Sequence, residues 1–100
     1  MKLRSIIVED EELARNLMKS FLKGSEKIEI IAECENGFEG VKLINELKPD
    51  LVFLDIQMPK LNGFEVLEAT GRRDGVIFTT AYDQYALKAF DQHAIDYLLK

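Results

Sequence analysis

Short apolar runs alternate along this chain with segments of helical period. Leu3–Val8, residues 51–54 and Val76–Thr80 are short and rich in apolar side chains, a pattern typical of buried β-strands. Ile28–Cys34 alternates between apolar and polar positions, which predicts a strand near an edge of the sheet. Residues 95–99 are predicted to form the fifth strand.

Four segments carry apolar residues at helical spacing, namely 11–23, 38–47, 63–70 and 84–92. The first of them places its apolar side chains on one helical face, at Leu13, Leu17, Met18 and Phe21. Asp10 is the predicted N-cap of this helix and Gly24 its predicted end.

The alternation of strands and helices predicts one α/β domain over residues 1–100. Its fold is a doubly wound, five-stranded parallel sheet with the flavodoxin-like strand order 2-1-3-4-5. Ligands of such sheets bind beyond the carboxyl ends of the strands, where the strand order reverses. The residues that follow the first and third strands are therefore the candidates for chemistry.

The composition of the chain restricts the functions and cellular locations that are compatible with it. The formal net charge of −5 argues against direct binding of nucleic acid, which requires a basic surface. Cys34 is the only cysteine, so no intramolecular disulfide can form, and we interpret it as a small buried side chain in a protein of a reducing compartment. No signal-peptide pattern and no apolar run near ~18 residues is present, which predicts a cytoplasmic protein without a membrane segment.

Carboxylates follow two predicted neighbouring strands. Glu9 and Asp10 come after the first strand and Asp55 after the third, so their charges should crowd together at one edge of the sheet. Taken alone, the first pair is also compatible with helix capping and Asp55 with a turn. Together with a loop carbonyl, the three carboxylates suit Mg²⁺, which prefers hard oxygen ligands.

The same edge is suited to phosphoryl transfer. Asp55 ends the most buried predicted strand and is the best placed nucleophile for an aspartyl phosphate. Lys100, after the fifth strand, would supply positive charge, and Thr80 a hydroxyl from the end of the fourth. Alone, Lys100 would be a solvated terminus and Thr80 a strand residue or cap, but each follows the same strand-end pattern.

These residues resemble the receiver domain (CheY-like) of a two-component response regulator. The resemblance rests on five segments in the expected order, residues 8–11, 54–59, 62–63, 79–82 and 96–100. It implies that Asp55 accepts a phosphoryl group from a sensor histidine kinase. It also implies a Mg²⁺ site formed by Glu9, Asp10, Asp55 and the backbone carbonyl of Gln57. Lys100 would contact the phosphoryl oxygens, while Thr80 and Tyr97 would act as the switch residues.

Residues 78–97 most resemble the LytTR-type subfamily, whose members usually carry a C-terminal β-rich DNA-binding domain. The resemblance therefore implies a parent protein that regulates transcription. Receivers continue beyond the lysine with a fifth helix, and the sequence ends at Lys100, so we expect a domain that lacks this helix. We expect apolar surface on strands one, three and five to be exposed as a result, and a homodimer or exchange of elements between chains to cover it.

Three other functions are compatible with parts of this sequence. A degenerate receiver would serve only as an interaction module, although retention of Asp10, Asp55, Thr80 and Lys100 argues against it. A phosphotransferase of the haloacid-dehalogenase kind would carry a second aspartate two residues after the nucleophile, where this chain has Gln57. A flavodoxin-like cofactor binder is supported by fold analogy only, and the acidic residues would repel a flavin phosphate.

Overall fold

Strands and helices alternate in the computed structural model, which describes residues 2–72, 74–80 and 96–99, with the backbone alone for Thr80 and 96–99. The strands are β1 (Leu3–Val8), β2 (Ile28–Cys34), β3 (Leu51–Asp55), β4 (Val76–Thr80) and β5 (Asp96–Leu99). The helices of the described residues are α1 (Glu12–Leu22), α2 (Gly37–Leu47) and α3 (Gly63–Thr70). The predicted helix over 84–92 and Lys100 lie outside the described residues.

All strand pairs are parallel, and the sheet has the order β2-β1-β3-β4-β5. The central pair aligns Val8 of β1 with Leu54 of β3. The predicted parallel α/β architecture is therefore confirmed. It places the carboxyl ends of β1 and β3 side by side, which is the arrangement that the candidate site requires.

The two faces of the sheet are covered by different helices because successive strand residues point to opposite sides. On one face, Val8, Leu54 and Phe78 belong to a large buried cluster that also takes in residues of α2 and α3. On the other face, Ile7 and Phe53 belong to a smaller cluster. Met18 and Leu22 of α1 pack against that cluster, so α1 alone among the described helices lies on this side.

The structure corrects the prediction for α1. Leu13, Leu17 and Phe21 are 83%, 72% and 84% exposed, and α1 has no fully buried residue. Both the row 13-17-21 and the row 14-18-22 fit helical spacing, and it is the second that faces the sheet. The N-cap is Glu11, without a side-chain capping bond, rather than Asp10, whose side chain belongs to a cluster of acids at the sheet edge.

The expected exposure of strand surface is wrong for β1 and β3. Ile7 is fully buried and Phe53 is 4% exposed, because half-buried side chains of α1, β2 and β4 cover them. Among the side chains that the structure describes, the exposed large apolar ones lie instead mainly on α1. The side chains of β5 lie outside the described residues.

Two asparagines start the helices of the opposite face. Asn36 accepts a hydrogen bond from the Glu39 N–H at the beginning of α2, and Asn62 forms a reciprocal capping box with Glu65 at the beginning of α3. Gly63 brings α3 close to the end of β3, since a Cβ at this position would lie 2.5 Å from the Asp55 carbonyl oxygen. This close approach fixes the loop that follows Asp55.

Candidate metal centre

Three carboxylates meet where β1 and β3 end. Glu9 follows Val8 directly, and its N–H donates to the Cys34 carbonyl of β2 at 3.0 Å. Asp55 is the last residue of β3. One oxygen each from Glu9, Asp10 and Asp55 lies within 4.8 Å of the other two. The predicted cluster of acids is therefore present in the structure.

The three acids differ in burial. Glu9 is fully buried, Asp55 is 2% exposed, and Asp10 is half-buried at the mouth of the cluster. Burial raises the pKa of Asp10, and the neighbouring Glu9 raises it further, while a hydrogen bond to Asp55 opposes the shift. The folded chain therefore resists full ionisation of this group. A bound cation would offset that cost.

Backbone N–H groups hold two of the carboxylates. Glu9 Oε2 accepts from the Glu11 N–H at 3.2 Å, and Asp55 Oδ1 accepts from the Gln57 N–H at 3.3 Å. These bonds run from the loop after each strand back to the acid that precedes it. Each carboxylate is thus oriented by its own local sequence.

The donor set fits Mg²⁺. An octahedral Mg²⁺ with bonds of 2.0–2.1 Å spaces its ligand oxygens by about 3 Å when adjacent and about 4 Å when opposite. The carboxylate oxygens of the cluster lie within 4.8 Å of one another, so only a small contraction is needed. All three donors are hard, anionic oxygens, the ligand type that Mg²⁺ prefers.

The described parts of the other predicted site residues lie near the carboxyl ends of the strands. Gln57 is exposed and lies two residues beyond Asp55. The backbone of Thr80 ends β4 opposite Leu99, and Tyr97 of β5 is paired with Phe78. The side chains of Thr80 and Tyr97 and the whole of Lys100 lie outside the described residues.

Sequence reasoning missed two side chains beside the cluster. The Arg15 guanidinium donates to the Glu9 carbonyl, and Thr79 carries a buried hydroxyl without a hydrogen-bond partner among the described residues. Thr79 is paired with Asp55 in the β3–β4 register. A signal for Arg15 existed in its position, because the side chain of a residue in the first turn of a helix points back toward the preceding strand.

The fold and the site together define a class of protein. Its members have a parallel α/β sheet with a carboxylate cluster at the point where the strand order reverses. The family model for the response regulator receiver domain matches residues 6–100. The chain therefore belongs to the response regulator receiver domain family.

Curated relatives include the transcriptional regulatory protein BtsR of Escherichia coli K12, which is 46% identical over 98% of this chain and 42% of the relative. An uncharacterized response regulatory protein of Yersinia pestis is 49% identical with the same coverage. The chain thus spans about two fifths of the length of these relatives.

Solved structures show the same fold. The response regulator domain of Thermotoga maritima CheB has a TM-score of 0.88 at 27% identity and covers 100% of this chain and 79% of that one. The response regulatory domain of mrkE from Klebsiella pneumoniae has a TM-score of 0.86 at 32% identity and covers 98% and 83%. Within the described residues, no helix is long and apolar enough to span a bilayer.

Proposed function

We propose that this chain is a Mg²⁺-dependent phosphoacceptor switch in which Asp55 receives the phosphoryl group. The observation that carries the proposal is the meeting of Glu9, Asp10 and Asp55 oxygens within 4.8 Å at the ends of two adjacent parallel strands. Membership of the receiver family supports the same assignment. The phosphoryl donor is then the phosphohistidine of a sensor histidine kinase.

The residues of the site have separate roles in this proposal. Glu9, Asp10, Asp55 and the backbone carbonyl of Gln57 hold Mg²⁺, which supplies positive charge against the phosphoryl oxygens when it is bound. A carboxylate oxygen of Asp55 attacks phosphorus. The new P–O bond forms as the P–N bond breaks, and the histidine nitrogen retains the electron pair.

The remaining polar residues stabilise the transferred group and carry the signal. Lys100 supplies a second positive charge and Thr80 a hydroxyl donor, while Thr80 and Tyr97 rearrange as the switch. The chain thereby assists its own phosphorylation and dephosphorylation and is not a turnover enzyme. The surface altered by the switch then binds a partner or an output domain.

We infer the wider setting from the relatives and the composition. BtsR is described as a transcriptional regulatory protein, which supports a parent protein that binds DNA, and we assign the LytTR-type subfamily on residues 78–97. With a net charge of −5, these 100 residues do not themselves bind nucleic acid. The proposed location is the cytoplasm.

Self-association of this chain is also proposed, as a homodimer or by exchange of elements. The exposed apolar side chains of Leu13, Leu17 and Phe21 support it. Sedimentation velocity over a range of concentrations tests this point, and a single monomeric species throughout would exclude it.

Phosphorylation is tested by incubation with a small phosphodonor and Mg²⁺, followed by intact mass spectrometry. We expect one phosphate adduct that disappears with EDTA and in Asp55→Asn. Asp74→Asn is the matched control. Asp74 is an exposed aspartate just before the start of β4, so it lies at the amino-terminal ends of the strands, away from the site at their carboxyl ends. A folded wild-type chain without an adduct would refute the proposal and favour an interaction-only domain.

A further inference from the structure

We propose that Arg15 is a positioning residue of the cation site, an inference that rests on the proposed Mg²⁺-dependent function. Arg15 Nη1 donates to the backbone carbonyl of Glu9 at 2.9 Å. Its side chain is only 11% exposed, although it belongs to a helix without fully buried residues. A largely buried guanidinium that donates to the backbone of a carboxylate ligand can hold that ligand in the position that the site requires.

The bonded carbonyl belongs to the peptide group that links Glu9 to Asp10. Since this group is planar, fixing its oxygen also fixes the direction in which the chain enters Asp10. The preceding peptide is held by the bond from the Glu9 N–H to the Cys34 carbonyl at 3.0 Å. The Glu9 carboxylate is held in turn by the Glu11 N–H at 3.2 Å. Arg15 therefore completes the restraint of the turn that presents both acids.

The charge of Arg15 is largely offset by acids outside the metal site. Arg15 Nε lies 3.7 Å from Glu33 Oε1, and Nη2 lies 3.8 Å from Glu35 Oε1. Lys19 Nζ pairs with the other oxygen of Glu33 at 3.0 Å. These two cations and two anions form a neutral group on one side of the turn. The effect of Arg15 on the site is therefore geometric rather than a long-range repulsion of the ion.

Lys19 provides a matched control. It lies one helical turn beyond Arg15 and makes an ion pair with the same glutamate, and none of the hydrogen bonds and ion pairs found for it reaches Glu9. Methionine at either position keeps an unbranched stem and a good helix propensity while it removes the charge. Arg15→Met and Lys19→Met thus both lose a link between α1 and Glu33, but only the first loses the bond to the Glu9 carbonyl.

Isothermal titration of the metal-free chain with MgCl₂ tests the proposal without a phosphodonor. Melting curves first establish that each variant is folded at the titration temperature. We expect Mg²⁺ affinity to fall about tenfold in Arg15→Met, as for other residues that orient metal ligands. The fall should be smaller in Arg15→Lys, which keeps one donor but not the fork, and Lys19→Met should bind as the wild type.

The alternatives give different results. If Arg15 acts only through its charge, Arg15→Met binds Mg²⁺ more tightly and Arg15→Lys is unchanged, which would overturn the proposal. An equal loss in Arg15→Met and Lys19→Met would also overturn it, because attachment of α1 would then explain the effect. If the wild type binds no Mg²⁺, the metal site itself is refuted together with this inference. Normal Mg²⁺ binding by Arg15→Met with intact phosphorylation would refute the role of Arg15 alone.

Discussion

The hydroxyl of Thr79 allows a quantitative test of the packing beside the site. Thr79 is 1% exposed, and its Oγ1 has no hydrogen-bond partner among the described residues. Threonine and valine have nearly the same shape, and both favour β-strands. Thr79→Val therefore removes a buried polar atom with little change in packing.

The expected size of the effect follows from the cost of burying an unsatisfied polar group. That cost is about 1–3 kcal/mol, and replacement by an apolar group of the same shape recovers part of it. We expect the free energy of unfolding to rise by about 1 kcal/mol in Thr79→Val, which raises Tm by about 4–8 °C in a domain of this size.

Urea denaturation followed by far-ultraviolet circular dichroism measures this change, and an unchanged m-value shows that only stability has changed. Thr70→Val is the matched control. The Thr70 hydroxyl donates to the Leu67 carbonyl at 3.1 Å and accepts from the Arg72 N–H at 3.3 Å, so its removal should lower stability. A loss of stability in Thr79→Val comparable to that in Thr70→Val would refute the reasoning, because it would reveal a bonded hydroxyl at Thr79.

Two further predictions concern the backbone after β3 and the single cysteine. Gly63→Ala should lower the free energy of unfolding by about 1–3 kcal/mol in urea denaturation, because the added Cβ would meet the Asp55 carbonyl at 2.5 Å. Gly24→Ala is the control and should leave stability nearly unchanged, because Gly24 has open space around it. Equal losses in the two variants would contradict the close approach of α3 to β3. Burial raises the pKa of the Cys34 thiol from 9.0 to about 12. Because the unfolded chain releases this proton at lower pH than the folded chain, the free energy of unfolding should fall as the pH rises above about 9. Cys34→Ala should show a weaker loss over the same range in pH-dependent melting curves, and identical curves would show that the thiol does not contribute.

Much of the fold and the acidic cluster could be predicted from local pattern combined with topology. The apolar runs identify β1, β3 and β4, and parallel strands bring their carboxyl ends to one edge. Glu9, Asp10 and Asp55 could therefore be grouped before their distances were known. Their meeting depends only on which strands are neighbours, and the alternation of elements restricts that choice strongly.

The packing of α1 could not be predicted in the same way. Helical spacing shows which side chains share a face but not which face contacts the sheet, and two rows of α1 satisfy the spacing equally. The structure turns Met18 and Leu22 inward and leaves Leu17 exposed. The contact of Arg15 could be predicted only in part: its position in the first turn indicates the direction of the side chain, but its partner, the Glu9 carbonyl, depends on the orientation of the whole helix.

The attachment of α1 and the geometry of the acidic cluster have a common physical basis. α1 buries no residue completely, so its apolar contact through half-buried Met18 and Leu22 is modest. Arg15 and Lys19 add polar links from this helix to Glu33 of β2. A separate hydrogen bond from Arg15 ends on the peptide group between Glu9 and Asp10, two carboxylates of the proposed cation site. With Arg15 in its proposed positioning role, we expect a displacement of α1 to change the direction of Asp10, and a cation that draws the carboxylates together to favour the docked position of the helix.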